Sequence, residues 1–398
     1  MTRDRPDGVV VLSLSVILVC GLLAVFSASR AVHGDPVFLK QMVWTLLGIA
    51  VLAGGMRLPL RVMEEYAYPF YGLSLLLLLV TIFLGRGPAG RWLAVGPLNL
   101  QASEIAKVAI VLAASRAFAD LSARPRKFGV FGVYAATIPA IVLTWLQPDL
   151  GTAAATVVIL LMLTWWAGYG PDWVFLLTSP VFAALSSMSI AYWLLFTAML
   201  VLVLLRRKAP AWVWILVLVG NTLVASFTPV AWGLLRPYQQ ARLTTFLDPA
   251  ADPHGAGWNV IQSEVAVGSG GVWGQGFLQG AQKELAFLPA RHTDFVFSVW
   301  AEEMGLAGSL LLLAAFAVLI ARLTWIASRC ANSFASMAAA GVAAYFAVHV
   351  AVNIGMTLGV MPVTGIPLVL VSYGGSHMLT AMFLVGVGLN AGVNWRVL

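Results

Sequence analysis

The sequence predicts an all-α polytopic membrane protein that forms a single integral membrane domain over residues 1–398. Hydrophobic residues make up 61% of the chain and charged residues only 10%, whereas a soluble domain carries about 25% charged residues. Apolar runs long enough to cross a hydrocarbon layer of about 30 Å recur from end to end. Basic residues gather in alternate loops between these runs, as they do in proteins that cross a membrane many times.

The apolar runs define about twelve spanning helices of roughly 20 residues each. The predicted spans are 8–29, 37–56, 69–85, 103–119, 128–147, 151–168, 173–189, 190–205, 211–230, 296–320, 334–357 and 366–390. An even number of crossings places both termini on the same side of the membrane. The boundary near residue 190 depends only on the polar stretch from Ser186 to Ser189. A single bent helix is the alternative there, and it changes both the count and the parity.

The basic residues indicate which side is which. The side that holds the N-terminus collects Arg3, Arg5, Arg57, Arg61, Arg116, Arg124, Arg126, Lys127, Arg206, Arg207, Lys208, Arg322, Arg329 and Arg396. The short loops of the other side carry only Arg30, Lys40, Arg86 and Arg91. Because cytoplasmic loops are enriched in Lys and Arg, the N-terminus is predicted to be cytoplasmic. Topology also accounts for the net charge of +7, so no nucleic-acid partner is expected.

The longest polar, turn-rich segment is a predicted outward loop at about 231–295. The stretch from Asp248 to Gly308 holds seven of the sixteen acidic residues. A loop of this length in a compact protein is usually functional or disordered, and its Trp, Phe and Leu content favours function. Its glycines from Gly268 to Gly276 match no nucleotide-binding fingerprint, and we interpret them as closely packed backbone. The working end of the protein is expected here.

Asp294 is the sharpest catalytic candidate. It follows Arg291, His292 and Thr293 at the membrane boundary and precedes the apolar run that opens at Phe295. A carboxylate in this place can act as a general base if partial desolvation raises its pKa toward neutrality. The alternative is that Asp294 only caps the next helix. No second His or carboxylate stands at ligand spacing from His292, so no metal site is predicted.

Two further polar sites interrupt apolar runs. Glu104 and Lys107 lie one turn apart on one helical face, with Glu first, which is the favourable order. An isolated charge at that depth costs at least about 2.5–3.5 kcal/mol, so the two residues form either a structural ion pair or the lining of a wet cavity. Asp149 follows Pro148 and is either a helix cap or a polar wall of an outward cavity.

Eleven stretches in order along the chain share a family pattern. They are Arg91-Trp92, Gln101 to Lys107, Gln147 to Thr152, Phe246 to Pro249 with Asp252-Pro253, Gly257 to Ser263, Gly268 to Gly271, Leu288-Pro289, His292 to Phe295, Glu302-Glu303, Asn353 to Met356 and Ser372 to Ser376. Together they resemble the SEDS family (shape, elongation, division and sporulation). Gly268 to Gly271 and Ala301 to Glu303 resemble its RodA branch more than its FtsW branch.

The resemblance implies a peptidoglycan glycosyltransferase of cell elongation and rod-shape maintenance. Such an enzyme polymerises lipid II at the outer face of the cytoplasmic (inner) membrane, in contact with membrane lipid, and works with a class B penicillin-binding protein that cross-links the product. By the resemblance, Asp294 matches the family's essential aspartate. Glu104 and Lys107 match its polar pair in the central cavity, and Arg91 and Trp92 match its first outward loop.

The implied reaction also assigns the remaining site residues. Arg91, Lys107, Lys283 and Arg291 are the cations available to stabilise a leaving diphosphate. Asp149, His292 and Thr293 are expected to bind substrate beside them. A divalent cation, Mg²⁺ or Mn²⁺, is an optional helper for which the sequence shows no site. The alternatives to a polymerase are a lipid II flippase and a non-catalytic membrane scaffold for the penicillin-binding protein.

The chain departs from the family pattern in two places. Gln101-Ala-Ser-Glu104 replaces the usual Gln-Pro-Ser-Glu at a helix start, where proline is merely favourable. More substantially, extra hydrophobic sequence at roughly 186–229 is long enough for an added hairpin, since each crossing needs about 20 residues. The family usually has ten spans. Two further crossings preserve the predicted sidedness of Asp294.

Overall fold

The structure is a computed structural model that describes residues 6–30, 35–87, 90–95, 98–126, 128–235, 240, 246, 257–280 and 291–393. Within these ranges the chain forms thirteen helices and one short hairpin. The chain divides into two compact units, one with residues 1–163 and 245–398 and the other with residues 164–244. Lys283 lies outside the described residues, as does much of the predicted loop 231–295.

The first unit begins with six long helices and a hairpin. They are α1 (Gly8–Arg30), α2 (Asp35–Arg57), α3 (Leu60–Leu84), β1 (Trp92–Val95), β2 (Leu98–Gln101), α4 (Ala102–Ala123), α5 (Gly129–Leu146) and α6 (Leu150–Trp166), whose last residues belong to the second unit. The span predicted at 69–85 begins nine residues too late, because α3 continues through Pro69 with Glu64 and Glu65 on its first turns. The antiparallel hairpin, which pairs Trp92 with Gln101, was not predicted.

The later part of the first unit has four helices: α10 (Trp258–Ser269), which lies within the predicted loop 231–295, and then α11 (Val296–Arg329), α12 (Ser333–Thr357) and α13 (Gly375–Val393). The helix at the span predicted as 296–320 is α11, which is 34 residues long and is kinked at Gly305, where φ is 62°. The span predicted at 366–390 begins nine residues later than expected. A non-helical segment with Pro362 and Pro367 precedes it, and proline removes a backbone donor that a helix needs.

α12 and α13 form the centre of the first unit. In the 18-residue apolar stretch of each helix, 72% is buried within the protein, compared with 17% for α2. The sequence of α12 is rich in Ala and Gly, and small residues allow helices to approach closely. A Cβ added at Gly341 would lie only 2.7 Å from Val111 of α4. α12 is therefore the helix against which the others pack.

The second unit contains α7 (Pro171–Ser186), α8 (Ile190–Arg207) and α9 (Ala211–Leu234). The chain is non-helical at Ser189 (φ −148°, ψ 133°), so the prediction of two helices separated near residue 190 is confirmed and the single bent helix is wrong. Within this unit Arg207 forms an ion pair with Asp172 at 3.0 Å. The helices α8 and α9 supply the added hairpin predicted at roughly 186–229.

A described helix coincides with each of the twelve predicted spans. Nine helices of the described residues are long and apolar enough to cross a membrane. The remaining three long helices are α4, which carries four charged residues, and α6 and α7, which are 17 and 16 residues long.

Cross-helix contacts distinguish the two ends of the first unit. Asp7 pairs with Arg322 at 2.7 Å, and Asn390 donates to the carbonyl of Gly55 at 3.1 Å. These contacts bring the start of α1 to the same end as the close of α2, α11 and α13. At the opposite end, Gln41 donates to the carbonyl of Ser372 at 3.3 Å. We call the first the N-terminal end and the second, which also holds residues 291–295, the site end.

Candidate active site

The turn that holds Asp294 is fixed by three hydrogen bonds to consecutive carbonyl oxygens. The Tyr373 N–H donates to His292 O at 2.9 Å, the Ser372 hydroxyl to Thr293 O at 2.5 Å, and the Asn353 amide to Asp294 O at 2.9 Å. Ser372 and Tyr373 lie just before α13, and Asn353 is fully buried on α12. The Asn353 side chain of α12 and the segment just before α13 therefore set the backbone position of the turn.

The turn is buried at both ends and partly exposed in the middle. Arg291 and Phe295 are buried, whereas His292, Thr293 and Asp294 are partly exposed between them. Phe295 occupies the N-cap position of α11 and its side chain makes no capping hydrogen bond. The cap position that the alternative gave to Asp294 thus belongs to its neighbour. Burial lowers the pKa of the Arg291 guanidinium, which still stays charged at neutral pH.

Glu104 and Lys107 form a buried ion pair on α4. Lys107 Nζ lies 2.8 Å from Glu104 Oε1, and the two side chains are 2% and 3% exposed. Two histidines from other helices complete the contacts. Lys107 Nζ lies 3.2 Å from His349 Nε2 on α12, and His377 Nδ1 on α13 lies 3.3 Å from Glu104 Oε2. The pair is therefore the middle of a four-residue chain that joins α4, α12 and α13.

The hydrogen-bond partners assign the protons in this chain. His349 Nδ1 lies 2.9 Å from the carbonyl oxygen of Tyr345, so Nδ1 carries the hydrogen and Nε2 accepts from the lysine ammonium. His377 Nδ1 faces a carboxylate and must carry a hydrogen as well. The Tyr345 ring packs against His349 at a tilt of 37°, with centroids 4.1 Å apart, and lies 5.5 Å from Lys107 Nζ. Each charge thus has a complementary neighbour, as buried charges require.

Arg91 and Asp149 form a third cluster, at the start of β1 and of α6. Arg91 donates through Nε to Gln147 O at 3.1 Å and through Nη2 to Pro148 O, and its Nη1 lies 3.8 Å from Asp149. Asp149 also accepts from the Thr152 N–H at 3.3 Å, which caps α6. The cap interpretation of Asp149 is supported by this contact, and its other carboxylate oxygen accepts a hydrogen bond from the Gln101 amide at 3.4 Å. The role as the wall of an outward cavity stays a prediction.

The hairpin links this third cluster to the buried chain. Trp92 at one end of β1 pairs with Gln101, and Gln101 directly precedes α4. The Gln101 N–H lies 3.4 Å from the Ser376 hydroxyl, and Ser376 is followed by His377. On α12, His349 and Asn353 lie at i and i+4 and so share one face. The three clusters are connected through α12 and through residues 372–377.

Four of these residues were not among the predicted site residues: Asn353, Tyr345, His349 and His377. A signal was present, because His349 and His377 are two of the five histidines in the chain and both fall inside predicted spans. Ionisable residues within spans are by default functional candidates. Asn353 lay inside a family stretch, but its spacing did not indicate a contact with Asp294.

The glycine-rich segment supports the start of α11. Gln275 and Gly276 donate their N–H groups to the carbonyls of Glu302 and Glu303 at 3.0 and 3.1 Å. A Cβ at Gly274 would overlap the carbonyl of Glu303, and the Glu303 side chain accepts from Ser27 at 2.5 Å. The prediction of closely packed backbone is confirmed at Gly270 and Gly274 and is wrong at Gly268 and Gly271, where a Cβ would meet nothing within 4 Å. Among the residues that the structure describes, no three His, Cys, Asp or Glu side chains converge as a metal site would require.

Fold and site together define a multi-pass membrane protein whose buried ionisable side chains are gathered at one end of its helices. A family model described as cell cycle protein, FtsW/RodA/SpoVE, matches residues 8–195 and 174–396, and the chain belongs to this family. This is the SEDS family, and its RodA members are among the relatives below. The two matched pieces overlap at 174–195. The predicted added hairpin, at roughly 186–229, begins within this overlap.

Relatives and solved structures match the chain along nearly its full length. It is 35% identical over 397 residues to the peptidoglycan glycosyltransferase MrdB of Escherichia coli K12, covering 98% of this chain and 95% of that one. It is 31% identical over 430 residues to the peptidoglycan glycosyltransferase RodA of Treponema pallidum, covering 98% of both. It superposes on a chain of a peptidoglycan synthase complex with a TM-score of 0.71 and 29% identity, covering 99% of both. For RodA of Thermus thermophilus the TM-score is 0.63, with 28% identity and 98% coverage of both chains.

Proposed function

We infer that this chain is a peptidoglycan glycosyltransferase that polymerises lipid II into glycan strands during cell elongation and rod-shape maintenance. Full-length similarity to two proteins named peptidoglycan glycosyltransferases supports the activity. The observation that carries the assignment to a site is the turn at Asp294, anchored through three successive carbonyl oxygens at one end of the first unit. A fixed backbone with a half-buried carboxylate suits a residue that must meet a reacting hydroxyl.

In the proposed reaction, Asp294 is the general base. The 4-hydroxyl of the acceptor sugar attacks the anomeric carbon of the donor and forms the new glycosidic bond. The bond from that carbon to undecaprenyl diphosphate breaks, and the diphosphate leaves with the electron pair. The proton of the attacking hydroxyl passes to the Asp294 carboxylate. Such proton transfer typically contributes about 10²–10⁴-fold to the rate.

The cations divide into two groups under this proposal. Arg91 is partly exposed and Arg291 lies in the Asp294 turn, so these two guanidiniums are proposed to stabilise the leaving diphosphate, together with Lys283 of the large loop. Lys107 is enclosed by Glu104 and His349, and its charge is already balanced. Its proposed part in substrate binding is to keep the cavity polar from beneath rather than to touch the diphosphate.

The remaining predicted residues are proposed to shape the substrate site. Trp92 closes the hairpin, Asp149 orients Arg91, and His292 and Thr293 flank the base. A Mg²⁺ or Mn²⁺ ion is proposed as an optional helper, because such an ion can be held mainly by substrate phosphates with one or two protein carboxylates. Chelation of divalent cations during the assay described below tests whether such an ion contributes to the rate.

A class B penicillin-binding protein is the proposed partner, and the cytoplasmic (inner) membrane is the proposed location, with the site end outside. The solved complex to which this chain is similar coordinates polymerization and crosslinking, which supports a cross-linking partner here. The distribution of Lys and Arg supports the orientation.

A lipid II flippase is the second candidate function, and the buried charges argue against it. Among the described residues, the buried acidic, basic and histidine side chains are Glu104, Lys107, Asp149, Arg291, Glu302, Glu303, His349 and His377. All belong to the site end of the first unit, whereas a flippase needs polar groups through the full thickness of the membrane. A scaffold without catalysis is the third candidate, and it makes Asp294 dispensable.

The test is purified full-length protein with labelled lipid II, alone and with the class B penicillin-binding protein of the same organism. Glycan chains separated on a gel are the expected product, with more polymer when the partner is present. Transfer of lipid II across vesicles without polymer would indicate the flippase. Polymer that is equal with and without the partner would contradict the partner proposal while leaving the activity intact.

A further inference from the structure

A cavity of about 690 Å³ lies at the N-terminal end of the first unit, between α3, α4 and α5. It is separate from every residue placed in the reaction above. Its lining includes Tyr68 of α3, Asp120 of α4 and Gly132 of α5, with Arg124 and Arg126 from the connection between α4 and α5. The volume falls within the range of about 300–1,000 Å³ that is typical of small-molecule sites.

The lip of the cavity is cationic. Arg124 and Arg126 are exposed, and neither takes part in the ion pairs found among the described residues. The acidic residue of the lining, Asp120, already accepts a hydrogen bond from the Tyr68 hydroxyl at 3.1 Å. The lip therefore presents two guanidiniums whose planar donors suit phosphate oxygens.

Tyr68 is itself held in place at this lip. The Arg116 guanidinium lies over its ring at 4.5 Å and donates to the carbonyl oxygens of Glu64 and Glu65 at 2.7 and 2.9 Å. Asp120 keeps its negative charge beside this hydrogen bond, so the two guanidiniums of Arg124 and Arg126 outnumber the one carboxylate of the lining.

The floor of the cavity is apolar and open. Gly132 lines it, and a Cβ built there would meet no atom within 4 Å. Val133 and Ala136 continue the lining along α5, a predicted spanning helix whose Ile138 side chain is 50% exposed. The cavity is therefore charged where it meets water and apolar where it continues along the membrane.

We propose that this cavity binds an anionic phospholipid of the cytoplasmic leaflet. Its phosphate lies between Arg124 and Arg126, and its glycerol and upper acyl chain lie against α5 at Gly132. Charge complementarity selects this occupant, because the lip is cationic and belongs to the end that the basic residues assign to the cytoplasm. Basic pockets between spanning helices on that side are known to hold anionic headgroups. A soluble anion would use the lip but gain nothing from the apolar floor.

The experiment uses the full-length purified protein in detergent and phosphatidylglycerol as the probe. Native mass spectrometry measures the bound fraction, with phosphatidylcholine and glycerol 3-phosphate as comparison ligands. Two variants alter the site in different ways. R124Q together with R126Q removes the cationic lip, and Gly132→Phe fills the open floor without changing any charge. Each variant is expected to weaken phosphatidylglycerol binding at least about tenfold, since bound ligand must lose its contacts on one side.

Matched controls separate this site from general charge effects. R57Q with R61Q also removes two exposed arginines that the cavity lining does not include. Gly220→Phe adds the same side chain to another spanning helix, again where a Cβ would meet nothing within 4 Å. Both controls are expected to bind phosphatidylglycerol within about twofold of wild type, because neither changes the cavity.

Three results would overturn the proposal. Equal loss of binding in both arginine pairs would mean that charge at the surface, and no cavity, attracts the lipid. Full binding by the Gly132→Phe variant would place the lipid elsewhere. Equal affinity for glycerol 3-phosphate would mean a soluble-anion site. Selective loss in the two cavity variants alone, with weak binding of phosphatidylcholine, supports it.

Discussion

The two ends of the first unit use the same residue types in opposite ways. At the site end, Glu104 and Lys107 are almost fully buried, and each has a second partner from another helix. At the N-terminal end, Asp7 and Arg322 form a pair whose side chains are 15% and 31% exposed. Breaking a buried pair leaves an uncompensated charge and costs about 3–5 kcal/mol, whereas an exposed pair contributes about 1 kcal/mol or less.

The difference separates topology from chemistry. Exposed arginines at the N-terminal end cost little, and their number is the basis for the proposed cytoplasmic orientation of that end. Buried ionisable groups are expensive in a membrane, so a chain keeps them only where partners satisfy them and where a task requires polarity. The site end, and not the end with more charges, is therefore where catalysis is expected.

The largest expected effect that distinguishes the ends is loss of activity in Asp294→Asn. The amide keeps the size of the side chain but cannot take up the proton of the attacking hydroxyl. Polymerisation of lipid II should fall by about 10²–10⁴-fold, with thermal stability and partner binding unchanged. The matched control is Asp7→Asn at the N-terminal end, which should leave the rate unaltered. Polymer from Asp294→Asn within a few-fold of wild type would contradict the general-base role.

The second prediction concerns the coupling between Glu104 and Lys107. Glu104→Gln and Lys107→Met should each lower the free energy of unfolding by about 3–5 kcal/mol, because each leaves a buried charge behind. The double variant should lose much less than the sum. Denaturation of the four proteins in detergent gives the coupling energy, and additive losses would show that the pair is not coupled.

The Asp7–Arg322 pair is the control for that cycle. Burial opposes ionisation of Asp7, but hydrogen bonds from Arg322 and from the backbone of Val9 and Val10 leave its pKa below the ordinary 3.8. A lowered pKa contributes stability above the ordinary value, and this contribution is lost as pH falls through the folded-state pKa. Since the pair is partly exposed, its coupling at pH 7 should be about 1 kcal/mol or less.

A smaller effect is expected from the histidine behind Lys107. His349→Leu removes the acceptor of one lysine N–H and should cost about 1–3 kcal/mol of unfolding free energy. Tyr345→Phe is the matched control in the same network, because the Tyr345 hydroxyl is buried with no hydrogen-bond partner among the described residues. It should be neutral or slightly stabilising. Equal costs for both substitutions, measured by the same denaturation, would argue against the Lys107–His349 contact.

The last prediction tests the orientation of the protein in the membrane and involves no change in stability or activity. In intact cells an impermeant thiol reagent should label Gln279→Cys and not Lys208→Cys. Background should be low, because Cys20 is buried and burial raises the pKa of the Cys330 thiol to about 11, leaving little thiolate to react. The reverse labelling pattern would invert the topology and move the proposed lipid site to the outer leaflet.

Particular residues show how far the sequence reached into the site. Asp149 was predicted as either a cap or a cavity wall, and its carboxylate accepts the Thr152 N–H at the start of α6, as a cap does. Glu104 and Lys107 were predicted to face the same side, and they pair. The roles of Asp294 and of the other substrate residues stay predictions. His349 and His377 were missed because each lies in its own apolar run, far along the chain from α4.

The sequence by itself determined the membrane class, about twelve spans, the break near residue 190 and the added hairpin. These features depend on how each short segment partitions between water and hydrocarbon, which is a local property of composition. Only the tertiary structure decided that His349 meets Lys107, that Asn353 holds the Asp294 turn, and that α3, α4 and α5 enclose a cavity. Such contacts depend on how each helix is rotated about its axis and how closely it approaches its neighbours, and no spacing within one segment encodes either.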